Sequence, residues 1–183
     1  CNDADSCNDC AGVPNGDSSL DDCGVCDGDN SCLIANLSLG SFDSSGSLEV
    51  IYDFGGPVAG FQFDVTGLAL TGGSGGAAGD AGLTVSAGGA TVLGFSFSNS
   101  EIAAGSGVLT VLSFSDVTAG VTELSLGNFG AATDASGNVY TTSASGSIEH
   151  GDPDCAGDYY GDAEVLACGC NDADSCNDCA GVP

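Results

Sequence analysis

The sequence predicts an all-β fold: a β-sandwich or jelly roll of about eight or nine short strands, flanked by small loop modules too poor in apolar residues to fold unaided. Three observations lead there. Residues 33–150 alternate apolar and polar side chains between Gly, Ser and Asp turns, with no sustained helical period. All eleven cysteines lie outside that stretch. Acidic residues crowd the flanks, with eight in residues 1–32 and eight in 151–183 against ten in the 118 residues between.

The flanks repeat. The phrase CNDADSCNDCAGVP at residues 1–14 recurs unchanged at 170–183, a shift of 169 residues. Inside the flanks, residues 9–32 (module A) and 154–176 (module B) follow one plan. Both begin Asp-Cys-Ala-Gly. Both carry Gly-Asp next, at Gly16-Asp17 and Gly161-Asp162, and then Cys-Gly, at Cys23-Gly24 and Cys168-Gly169. Both close on a six-residue step, Cys26 to Cys32 and Cys170 to Cys176. Residues 1–7 then read as the tail of a preceding module B, and 178–183 as the head of a following module A. One period holds eight cysteines: Cys1, Cys7, Cys10, Cys23, Cys26, Cys32, Cys155 and Cys168. The overlap repeats three more, Cys170, Cys176 and Cys179. Four cysteines per module predict two disulfides in each, with connectivity left open by spacing alone. A chain so rich in cysteine belongs in an oxidising, extracellular compartment. No initiator Met or targeting signal is visible, which suits a mature chain or an excerpt.

Between the modules the strands follow in order. A first strand falls near 35–41. Leu48, Val50, Tyr52 and Phe54 alternate with Glu49 and Asp53, and Phe61, Phe63 and Val65 with Gln62 and Asp64. A short strand near 83–87 precedes Leu93, Phe95 and Phe97, which alternate with Gly94 and Ser96 and predict an inward-facing row. Residues 108–114 are apolar almost throughout, as for a strand buried on both faces. Two more strands fall near 122–129 and 138–149. A domain of this length can bury roughly two-thirds of its unfolded surface, enough to fold without disulfides.

The charge is extreme: 26 acids, one histidine, and no Lys or Arg, for a net −26. No ion pair to Lys or Arg can form. Nucleic acid is excluded as a partner because phosphate binding needs basic side chains, an anionic membrane surface is disfavoured for the same reason, and no apolar run is long enough to insert in a bilayer. Hard divalent cations, above all Ca²⁺, are the natural counterions for crowded carboxylates. The candidate ligands are Asp27, Asp29 and Asn30 with the equivalent Asp3 and Asp5, then Asp17 and Asp162, then Asp9, Asp22, Asp154 and Asp178; Asp172 and Asp174 repeat Asp3 and Asp5. Glycines at tight turns would let such carboxylates converge. Zinc is the competing reading, because Cys7-x₂-Cys10 and Cys23-x₂-Cys26 have ribbon-like spacing, but module B breaks it at Cys168-Gly169-Cys170. Asn36-Leu37-Ser38 is a glycosylation sequon.

Two resemblances sharpen this reading. VAGFQFDVTG (58–67) and GVLTVLSFSDV (107–117) resemble cohesin modules, the β-sandwiches of bacterial cell-surface scaffoldins. That implies a cohesin-like sandwich and a dockerin-like or surface partner bound on a sheet face. CGVCDGDNSC (23–32) resembles the cysteine-rich acidic repeats of extracellular proteins, near thrombospondin type 3 calcium repeats. The full Asp-x-Asp-x-Asp-Gly ladder is missing here. The fold expected is therefore a cohesin-like or jelly-roll sandwich between modules stapled by disulfides and calcium.

Nothing marks an enzyme. No nucleophile-elbow motif is present, and His150, the single histidine, reads as a solvated linker residue. The function expected is a secreted structural protein whose tandem 169-residue units associate with one another in a calcium-stabilised filament. The alternative is a cohesin-like binding, scaffold or adhesion module.

Overall fold

The computed structural model describes residues 8–21, 23–166 and 168–171. Ten strands form the sandwich: β1 (Ile34–Asp43), β2 (Ser47–Phe54), β3 (Gly60–Thr66), β4 (Leu68–Ser74), β5 (Thr84–Gly88), β6 (Thr91–Phe95), β7 (Gly105–Val117), β8 (Val121–Ser125), β9 (Ala131–Thr133) and β10 (Thr141–Glu149). A five-residue helix, α1 (Gly76–Asp80), follows β4. Two dipeptide strands, β11 (Val165–Leu166) and β12 (Gly169–Cys170), pair within module B.

The strands are ordered β4-β7-β2-β1-β10-β8-β3-β6-β5, with β9 added on β3. β10 turns the corner. Its first half pairs in parallel with β1, Ile34 against Thr141 through Ser38 against Ser145. Its second half pairs antiparallel with β8, Gly146 against Leu124 through Glu149 against Val121. Two sheets thus share one strand and close over a common core, as in a sandwich whose corner strand switches sheets. Leu48, Val50, Phe54, Phe63, Val65, Val92, Leu109 and Leu112 are fully buried there.

The alternation read in β2 and β3 is realised: Leu48, Val50 and Phe54, and Phe61, Phe63 and Val65, all face the core. The phase expected for β6 is reversed. Val92 and Gly94 face inward, and Leu93 is 41% exposed. The cause lies across the ladder. Gly94 pairs with Phe61, and a Cβ at Gly94 would lie 2.1 Å from the Phe61 ring. Phe61 occupies the space a side chain at 94 would need, so the glycine belongs to the core face and the larger residues on either side turn out.

β7 also departs from expectation. Its apolar run over 108–114 is not sheathed on both faces throughout: Ser113 is exposed. The register slips between Val50 opposite Thr110 and Ile51 opposite Val108, leaving Leu109 as the extra residue of a bulge. That is why Leu109 and Thr110, adjacent in sequence, are both buried.

Because β1 and β10 run in parallel, the chain enters and leaves the sandwich at opposite poles. Leu33, just before β1, lies at one pole, and His150 lies at the other, where its ring sits 4.9 Å from Phe42 near the end of β1. The ten residues of β1 separate the poles by roughly 30 Å at about 3.3 Å per residue.

His150 is not the solvated linker residue expected. It is 8% exposed, its Nε2 is 2.7 Å from Thr122 Oγ1, and its Nδ1 is 2.8 Å from the Tyr160 hydroxyl. Tyr160 belongs to module B, so the histidine is held between sandwich and connector.

Candidate functional site

Two regions carry chemistry beyond the core: the outer face around β6, and the cysteine-rich connectors.

The outward turn of β6 puts Leu93 and Phe95 on the solvent face of the sheet, beside Gln62 of β3. Phe97, just beyond β6, is 87% exposed and meets Phe95 edge-on at 4.9 Å. Phe129, in the loop between β8 and β9, is 81% exposed. Gln62, Leu93, Phe95, Phe129, Ala131 and Thr133 line a shallow depression of about 250 Å³, whose floor includes Gly60, Phe61 and Gly94. None of these residues is acidic, in a chain with 26 acids. Exposed large aromatics gathered on one face are the usual mark of an interaction surface, whereas scattered ones are ordinary. The reversed phase of β6 is what hid this face from the sequence reading.

In the connectors, disulfides join Cys10 to Cys26 and Cys23 to Cys32 in module A, and Cys155 to Cys170 in module B; Cys168 is also disulfide-bonded. Cysteines at corresponding positions pair, since Cys10 and Cys155 both follow the opening Asp and their partners begin the six-residue step. Cys10, Cys26 and Asp27 form the single grouping of three potential metal-ligand atoms among the described residues. Its two sulfurs are spent in the Cys10–Cys26 disulfide, which removes the thiolates a zinc site requires. Disulfides of this kind belong to an oxidising environment. No helix among the described residues is long and apolar enough to cross a membrane.

The acids of the connectors are organised by a loop that occurs three times. Its sequence is Asp-x-x-Gly-x-x-x-Gly-Asp, starting at Asp9, Asp21 and Asp154. In each copy the first carboxylate is a hub for backbone amides two, four and nine residues on. Asp9 accepts from Ala11, Val13 and Ser18; Asp21 from Cys23, Val25 and Asn30; Asp154 from Ala156, Asp158 and Ala163. The first glycine of each copy, Gly12, Gly24 or Gly157, has a left-handed φ of 79°, 75° or 95°. The second, Gly16, Gly28 or Gly161, lies so close that a Cβ would fall 1.9, 2.0 or 2.1 Å from the hub carboxylate. The first position therefore favours glycine by its backbone, and the second leaves no room for a side chain while the hub carboxylate keeps its place. The amides, with those of Val13, Val25 and Asp158 foremost, hold the carboxyls of Asp9, Asp21 and Asp154 below the usual value of 3.8. Asp134 makes a shortened version, accepting from Ser136 and Asn138 in the link between β9 and β10.

The expected calcium ligands distribute over these loops. Asp9 and Asp154 are hubs. Asp17, Asp29 and Asp162 fill the last, exposed position of the three copies. Asp27 Oδ1 accepts from the Ser19 amide and Asp29 Oδ1 from Ser31, while the Asn30 amide donates to Asp21. Asp3, Asp5, Asp22, Asp172, Asp174 and Asp178 lie outside the described residues, as do Cys1, Cys7, Cys176 and Cys179. Asp21, the third hub, is not among the expected ligands, although the triple Asp-x-x-Gly-x-x-x-Gly-Asp pattern in the sequence marks it. Asn36 of the sequon is exposed in the first half of β1, and its Oδ1 accepts from the Ser143 hydroxyl at 2.7 Å.

No match is found among protein-family models or curated proteins. Among solved structures the chain is similar to a non-cellulosomal cohesin from the hyperthermophilic archaeon Archaeoglobus fulgidus. The two share 17% sequence identity at a TM-score of 0.44, over 63% of this chain and 89% of that one.

Proposed function

We propose that this chain is a non-catalytic, extracellular binding or scaffold module, whose sandwich docks another protein on the outer face of β3 and β6. The observation that carries the reading is the acid-free aromatic surface of Leu93, Phe95, Phe97 and Phe129. An apolar, acid-free patch on a chain of net charge −26 suits a partner with aliphatic or aromatic anchors and Lys or Arg around them, a dockerin-like protein being one form it could take. Phe97 and Phe129 project from the fold, so replacing both with Ser leaves the core intact. Immobilised wild-type protein should retain an extracellular protein of its source that the double variant binds at least tenfold more weakly. Equal retention by both proteins would contradict the reading.

A second reading has its own support. The 169-residue period, and the entry and exit of the chain at opposite poles, suit a linear array of tandem units. In that reading the partner is the neighbouring unit, and Ca²⁺ on the exposed Asp17, Asp29 and Asp162 neutralises repulsion between the connectors. Electron microscopy of native material before and after EDTA tests it. Filaments that soften or fall apart on chelation support the calcium-stabilised array, and discrete particles unaffected by EDTA contradict it.

A further inference from the structure

The three copies of the acidic loop differ at one instructive position. Six residues after the hub aspartate the backbone is left-handed in every copy, with φ 53° at Asn15, 52° at Asp27 and 61° at Tyr160. Asn and Asp tolerate that conformation because their short side chains bond locally. A tyrosine does not, and its Cβ sits in a strained position there. The loop itself gives no reason for the exchange, since its hub hydrogen bonds are the same in all three copies.

The surroundings give the reason. Only in module B does this residue reach the sandwich. The Tyr160 hydroxyl is 2.8 Å from His150 Nδ1, and its ring lies 5.9 Å from Phe42. His150 is anchored in turn through Nε2 to the buried Thr122 of β8 and through its backbone amide to the Gly120 carbonyl. Tyr159 adds an edge-on contact to the His150 ring and packs against the core. Strain in the loop is thus offset by contacts outside it.

We infer that Tyr160 is the pin of a rigid joint, in which the strained tyrosine, His150 and Phe42 lock module B to the exit pole of the sandwich. Connector and sandwich then move as one body, and the direction in which the chain leaves is set by the fold. The joint goes beyond both functional readings: it orients whatever follows, be it a neighbouring unit or another domain.

The test separates the joint from the loop. Residual dipolar couplings of the intact, oxidised chain should fit one alignment tensor for residues 34–149 and 154–163 together. Tyr160→Asn installs the residue that the sibling loop carries at Asn15. It should split the fit into two tensors while sandwich shifts, and amide protection at Ala156, Asp158 and Ala163, are kept or improved. Tyr160→Gly, equally at ease in the left-handed region, should do the same. Two tensors in the wild type, or one common tensor in either variant, would overturn the inference. So would loss of loop protection in both variants, because Tyr160 would then serve the loop and not the joint.

Discussion

At the scale of single residues, His150 shows how far placement can depart from a local reading. A lone histidine before Gly151-Asp152-Pro153 looks like linker. Its neighbours in space come from β1, β8, the turn at Gly120 and module B, none of them adjacent in sequence. Burial holds its pKa below the usual 6.5, opposed by the nearby Glu149 carboxylate. The other titratable groups against it are the Tyr159 and Tyr160 phenols. The folded value lies below the unfolded one, so the contribution of this site is complete above about 6.5 and is lost as pH falls through the folded pKa. Amide exchange at residues 154–163 should therefore quicken as pH drops below 6.5, after correction for intrinsic rates, while the carboxylate hubs are still intact. Those hubs, with pKa values held below 3.8, lose their contribution only as pH falls further, through their own folded values. A single transition confined to the range below 3.8 would show that His150 makes no difference to the joint.

At the scale of elements, the alternation of Leu48 to Phe54 and Phe61 to Val65 was legible because larger apolar residues mark one face without ambiguity. β6 was misphased because hydrophobicity alone makes Leu93, Phe95 and Phe97 look like the buried row. Steric complementarity across the ladder decides otherwise, with Phe61 lying over Gly94. β4, with Gly72 and Gly73 near its end, the three-residue β9 and the five-residue α1 carry too little periodicity to announce themselves; tertiary contacts hold them. Gly94→Ala should destabilise the sandwich by about 1–3 kcal/mol, read from chemical denaturation, because the Phe61 ring must leave its rotamer. The acidic loops are legible as loops in the sequence, and their carboxylates read as metal ligands. What spacing does not announce is that Asp9, Asp21 and Asp154 each gather three backbone amides, because those partners lie up to nine residues away and are brought together only by the turns between. Gly28→Ala should collapse the Asp21 hub and speed exchange at the Val25 and Asn30 amides; unchanged exchange would mean that the carboxylate is not organising the loop.

At the scale of the whole molecule, the cross-links and the core are segregated. Residues 33–150 contain no cysteine, and the described disulfides all lie in the connectors. Reduction should leave the sandwich's near-ultraviolet spectrum and thermal transition in place while the connector amides lose protection. A loss of both together would show that the sandwich depends on its flanks. The parallel β1–β10 pair, the opposite poles and the Tyr160 joint then make a unit with a defined entry, a defined exit and one outward aromatic face.

That face is the centre of the functional account, and hydroxyl-radical footprinting tests it most directly. The native extracellular material and the isolated chain would be oxidised side by side and compared residue by residue. The account predicts strong protection of Phe97 and Phe129 in the native material, with exposed Tyr160 and Val139 little changed. Equal reactivity of Phe97 and Phe129 in the two samples would contradict it, because the surface proposed to bind a partner would stand bare where the protein works.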